Sequence, residues 1–110
     1  MSMRLRRRVA LAAGAGALLF AASAAAAAPH SYTVVIEKMK YGPLPSGLHK
    51  GDAIVWVNRD FLRHTVTAAD HSFNIDLPAG AKGKTVLTES GDVAFFCRFH
   101  PRMRGVLQVK

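Results

Sequence analysis

From Ala28 onward the sequence predicts an all-β domain, a sandwich or a barrel, on three observations. Short β-branched and aromatic runs recur along the chain. Turn residues separate them at fairly regular spacing, and no stretch carries a long helical period. In order, Tyr32–Glu37 (YTVVIE) is the first run, and Gly42, Pro43, Pro45 and Gly47 break the chain after it. Gly51-Asp52 turns into Ala53–Asn58 (AIVWVN), and Thr65–Ala68 (TVTA) gives a further short strand. The segment from Ser72 to Lys84, with Pro78, Gly80 and Gly83, is expected to be mostly loop. Lys84–Thr88 (KTVLT) follows as a strand, and Ser90-Gly91-Asp92 turns into Asp92–Cys97 (DVAFFC). Gly105–Val109 (GVLQV) closes the domain. Strand side chains alternate between faces, so Val93, Phe95 and Cys97 point the same way.

The first 27 residues are expected to lie outside this domain. Arg4, Arg6, Arg7 and Arg8 form a basic start, Val9–Ala22 an apolar stretch, and Ser23–Ala28 a run of small residues. That is the pattern of a cleaved export signal. An uncleaved membrane anchor is the competing reading, but the stretch is mostly Ala and Gly and is poorly hydrophobic for a stable span. The expected organisation is therefore a signal peptide over 1–27 and one domain over 28–110, without a membrane segment after cleavage. Four of the fifteen Lys and Arg leave with the signal. The domain keeps eleven against seven Asp and Glu, so the formal charge falls from +8 to +4. Half of the basic charge is thus a targeting feature and does not argue for nucleic-acid binding.

A domain of this size is marginal on hydrophobic burial alone, and small exported domains commonly add disulfides or a metal. The chain has one cysteine, Cys97, so no internal disulfide can form. Taken alone, Cys97 reads as a small buried hydrophobe. It stands, however, in Cys97-Arg98-Phe99-His100-Pro101-Arg102-Met103, with a histidine three residues on and a methionine three beyond that. A soft thiolate, an imidazole and a thioether on one short loop suit copper, and a Cys/His/His set with a weak axial Met is the pattern of blue-copper electron-transfer sites.

The second imidazole has to come from upstream. His64 is the best candidate, because it follows a loop leaving the Trp56 strand and opens the next strand. His71, in a polar turn, is the alternative, and His49 reads as a solvated turn residue. His30 would stand third from a mature terminus beginning at Ala28. Pro29 has no amide proton to release to copper, which removes that kind of site.

With these residues in place, the sequence resembles the cupredoxins, and within them the amicyanins, along nearly all of the mature chain. The likeness runs through Lys38-Met39-Lys40-Tyr41, Gly51-Asp52, Val55-Trp56-Val57-Asn58-Arg59, His64 with Val66, Glu89-Ser90-Gly91 and His100-Pro101-Arg102-Met103-Arg104-Gly105. The resemblance implies a Greek-key β-sandwich in which His64, Cys97, His100 and Met103 bind one type 1 copper. It also implies a periplasmic electron carrier, not an enzyme and monomeric, that serves redox proteins of the dehydrogenase and c-type cytochrome kinds without fixing a particular pair. A periplasmic copper-delivery protein using the same ligands is the alternative function.

Two departures bear on the site. Thr65 stands where the family often has Asn, whose side chain ties the ligand loops together. Phe99 stands where the family has Pro, which leaves a backbone N–H available to the thiolate. Phe95, Phe99 and Val66 are expected to keep water from the metal. Arg63, Arg98, Arg102 and Arg104 crowd the ligands, and this predicts a partner with an acidic patch.

Overall fold

The computed structural model describes residues 28–110. The expected signal over 1–27 lies outside the described residues. Eight strands form: β1 Ser31–Glu37, β2 Lys40–Tyr41, β3 Ala53–Asn58, β4 His64–Ala68, β5 Asn74–Leu77, β6 Lys82–Val86, β7 Gly91–Phe96 and β8 Arg104–Val109. They make two four-stranded sheets, ordered β2-β1-β3-β6 and β5-β4-β7-β8. The chain changes sheet between β3 and β4, between β5 and β6, and between β6 and β7, so the two sheets are interwoven as a Greek-key sandwich.

The pairing of β1 with β3 is parallel, and the rest are antiparallel. A parallel pair needs a long crossover, and the Gly- and Pro-rich segment between Tyr41 and Ala53 supplies it. Asp52 fixes its end by accepting the amide protons of His30 and His49, each at 2.9 Å. Parallel register has a consequence for function. The turn after β1 and the loop after β3 emerge at the same end of the sandwich, beside the start of β4 and the end of β7.

Alternating positions from both sheets fill the core. Val34, Ile36, Ile54 and Trp56 meet Val66, Val93, Phe95, Cys97 and Leu107. Tyr41, Trp56 and Phe95 pack edge to face with ring centroids 4.9–5.9 Å apart, and the Trp56 indole donates to Thr85 Oγ1 at 3.1 Å. Gly105 lies opposite Phe95, whose Cζ would stand 2.6 Å from any added Cβ, so the glycine makes room for the ring.

The expected loop over Ser72–Lys84 is corrected. It contains β5, and β6 begins at Lys82 rather than Lys84. Phe73, Ile75 and Leu77 alternate inward with polar residues between them, a half-buried strand pattern masked by Asn74 and Asp76. Pairing against β4 supplies what local propensity does not.

Candidate metal centre

The β3–β4 loop and the β7–β8 loop face each other at one end of the sandwich. His64, the first residue of β4, is fully buried, and Cys97, just past β7, is fully buried as well. The Cys97 loop closes on itself. The Cys97 amide donates to the Met103 carbonyl at 3.0 Å, and the Met103 amide donates to the His100 carbonyl at 2.8 Å. Pro101 occupies the first central position of that His100–Met103 turn, where its fixed φ is favourable. A seven-residue segment is thereby folded tightly enough to turn His100 back toward Cys97.

The result is a convergence of three donor atoms. His64 Nδ1 and His100 Nδ1 each lie 3.8 Å from Cys97 Sγ. The ligand atoms of all three residues fall within 4.8 Å of one another. The two imidazoles stand edge to face at 5.1 Å. His100 is part-exposed, and Met103, at the far end of the same loop, is 5 % exposed. The spacing fits a metal. Bonds of about 2.3 Å to sulfur and about 2.0 Å to nitrogen, set roughly 120° apart, place N and S about 3.7 Å from each other. His71 is an exposed turn residue at φ 67° and is absent from the cluster, and His30 and His49 are exposed as well.

Two of the three donors, His64 and Cys97, are held by neighbouring groups. The ring nitrogen of His64 that faces away from Cys97, Nε2, is 2.7 Å from Asp60 Oδ2. Asp60 also accepts the amide protons of Lys38 at 2.7 Å and Met39 at 3.0 Å. Those two residues form the β1–β2 turn, with φ of 52° and 60°, a conformation that side chains other than glycine resist. Burial pushes the Asp60 carboxyl up, but the donations from Met39, His64 and Lys38 prevail and hold it below the usual carboxylate range. Asn58 carries the loop. Its amide nitrogen donates to the carbonyls of Leu62 and Leu77 at 2.8 and 2.9 Å, and its oxygen accepts from the Asp60 amide at 2.9 Å. An orienting carboxylate behind a ligating histidine fixes the tautomer, here leaving Nδ1 free for the metal. The four-residue spacing from Asp60 to His64 is present in the sequence; the β1–β2 turn that completes the arrangement is not legible there.

Thr65 replaces the family's Asn and still joins the loops. Its hydroxyl accepts the Arg98 amide proton at 2.9 Å, and its own amide donates to Cys97 Sγ at 3.3 Å. Among the described residues, the amide that reaches Sγ is that of Thr65 and not that of Phe99. The Thr65 carbonyl accepts from Tyr41 Oη at 2.6 Å. Burial first, and the negative charge of a Cys97 thiolate second, push the Tyr41 hydroxyl well above its ordinary pKa.

Two expectations about the surroundings are corrected. Val66 and Phe95 are buried, but Phe99 is 50 % exposed. The Phe99 ring lies under the Arg98 guanidinium at 5.7 Å, at the surface. Arg63 is paired with Asp76 at 3.3 Å, whereas Arg98, Arg102 and Arg104 are exposed without an ion-pair partner among the described residues.

The family model for the cupredoxin-like domain matches residues 10–109. The chain belongs to the cupredoxin-like family. Among solved structures, the Cu(I) form of a methionine-to-alanine variant of amicyanin is 30 % identical, over 76 % of this chain and 85 % of that one, with a TM-score of 0.62. Amicyanin from Paracoccus versutus (Thiobacillus versutus) is also 30 % identical, over 73 % and 81 %, with a TM-score of 0.60. A purple cupredoxin from Nitrosopumilus maritimus, 23 % identical over 72 % and 99 % with a TM-score of 0.62, shares the fold. No curated protein matches the chain. A cupredoxin fold with a thiolate, two imidazoles and a buried thioether at one end is a copper protein, and its function is of the electron-transfer class.

Proposed function

We propose that the protein is an exported, periplasmic one-electron carrier in which His64, Cys97, His100 and Met103 hold one type 1 copper, and that it exchanges electrons with redox proteins without transforming a substrate. The single observation that carries this reading is the convergence of His64 Nδ1, Cys97 Sγ and His100 Nδ1. Copper bound there supplies a Cu(II)/Cu(I) couple. The chain's part is to keep the donors still. Cys97 offers the soft anionic donor, and His64 and His100 the two imidazoles. Met103, whose backbone closes the loop, would offer its thioether as a further, weak donor. Asp60 orients His64, Thr65 holds the sulfur and the Arg98 amide, and the Tyr41–Trp56–Phe95 cluster backs the site. Rigid donors need little rearrangement when one electron arrives.

Export is supported by the basic and apolar pattern of residues 1–27 and by a single cysteine that a metal explains. His100 is the part-exposed ligand, in an open groove of about 610 Å³ with Met39, Lys40, Phe99, Pro101, Arg102 and Met103. Phe61 and Leu62 add exposed apolar surface. Arg98, Arg102 and Arg104 surround this end, so a partner with an acidic patch beside its own redox centre fits it.

Deep burial of His64, Cys97 and Met103 favours retention of copper over delivery. The experiment is repeated reduction and reoxidation of the copper-loaded protein in the presence of a Cu(I) chelator. A carrier keeps its copper through many cycles with a stable midpoint potential. Stoichiometric loss of Cu(I) in the first reduction would make it a delivery protein.

A further inference from the structure

Thr65 has three polar groups and spends all of them within the site: the amide on Cys97 Sγ, the carbonyl on Tyr41, and the hydroxyl oxygen on the Arg98 amide. The hydroxyl proton of this fully buried side chain also needs an acceptor. Thr67 Oγ1 lies 2.9 Å away, and Thr67 in turn donates to Asn74 Oδ1 at 2.7 Å. Thr65 and Thr67 are two residues apart on β4 and therefore share a face, while Asn74 is the direct cross-strand partner of Thr67 on β5. The two ends set the direction of the row. A backbone amide only donates, and a carboxamide oxygen only accepts. Arg98 N–H thus donates to Thr65, Thr65 to Thr67, and Thr67 to Asn74, so that a lone pair of Thr65 Oγ1 is kept facing the Cys97 loop.

We propose that Thr67 and Asn74, neither of which touches a ligand atom, are positioning residues for the metal centre: they fix the rotamer and polarity of Thr65, which holds the Arg98 amide and the Cys97 sulfur in place. The carboxamide oxygen that a single Asn would supply is replaced by a three-residue row ending at the surface. The copper half of this inference rests on the reading of Cys97 as a ligand; the loop-ordering half does not.

The test therefore begins on the copper-free protein. Thr67→Val is nearly isosteric and removes the acceptor for Thr65, Thr67→Ser keeps it, Asn74→Leu removes the end of the row, and Asn74→Asp keeps an oxygen there. In Thr67→Val, hydrogen exchange at the Arg98 amide, read by NMR, should quicken about fivefold, the worth of one ordinary hydrogen bond. Exchange at Ile54, in the other sheet, should not change, which separates a local effect from loss of stability. Asn74→Leu should act in the same direction, and the Ser and Asp variants should match wild type. In the copper-loaded protein, Thr67→Val should lower the midpoint potential, because a loosened Thr65 amide leaves more charge on sulfur, and Thr67→Ser should restore it. Unchanged Arg98 exchange in Thr67→Val, or failure of Thr67→Ser to restore it, overturns the positioning role. Faster exchange with an unmoved potential overturns the copper half. A wild type that forms no type 1 site defeats the ligand reading instead, and leaves the exchange result to stand by itself.

Discussion

Replacing Asp60 by alanine removes one carboxylate that serves three donors, and the three losses are not equal. The amides of Lys38 and Met39 belong to an exposed turn, where water can take the place of the carboxylate, so their loss costs little. His64 is different. Its ring has no exposed surface, and Nε2 loses its 2.7 Å partner. A buried donor left without a partner costs about 1–3 kcal/mol, or roughly 5- to 150-fold in an equilibrium. Removal of the group that orients a metal-bound histidine typically costs about 10- to 100-fold in metal affinity, and the two estimates overlap near tenfold and above. Copper affinity should therefore fall by about one to two orders of magnitude in Asp60→Ala, with the strand content intact. The assay is competition against a chelator of known affinity, with circular dichroism to confirm the fold. Affinity within about threefold of wild type would refute the argument that Asp60 holds His64 for the metal.

Three further outcomes are expected. His64→Ala should open a coordination position that added imidazole refills with return of the visible band, while His71→Ala should leave the spectrum as it is; the reverse pattern would reassign the upstream ligand. Asp52 is held below the usual carboxylate range by the His30 amide first and the His49 amide second, so its contribution to stability is complete above about 3.9, the unfolded value, and is lost as pH falls through the lower folded one. The urea stability of the copper-free wild type should accordingly exceed that of Asp52→Asn at about pH 6, with the gap narrowing as pH falls below about 3.9, and a gap independent of pH would contradict this. Changing Arg98 and Arg102 together to Glu should slow electron exchange with an acidic redox protein at low salt with little change in the copper spectrum, and the wild-type rate should fall as salt rises; a flat salt profile would mean that the apolar surface alone governs docking.

What the sequence made legible was whatever is local. Cys97, His100 and Met103 stand on one loop at fixed spacing, and the Val93–Phe95–Cys97 alternation placed the thiol on the buried face. His64 could be chosen over His71 because it opens a strand rather than sitting in a polar turn. What stayed hidden depends on register between distant segments. The β1–β2 turn reaches Asp60 only because β1 runs parallel to β3, and Thr67 meets Asn74 only because β5 forms. The strand β5 itself was obscured by polar residues between Phe73, Ile75 and Leu77. Phe99 was misplaced for a related reason. An aromatic residue beside a ligand suggests a cap, but the tight closure of the Cys97–Met103 loop turns its ring outward, under Arg98.

The central claim, that Cys97 binds copper together with two histidines in a type 1 site, is met most directly by the visible absorption of the mature chain titrated with Cu(II), with Cys97→Ser alongside. The account predicts an intense thiolate-to-copper band that saturates at one copper per chain and is absent from Cys97→Ser. A wild type that binds copper without that band, or a Cys97→Ser protein that keeps it, would contradict the account.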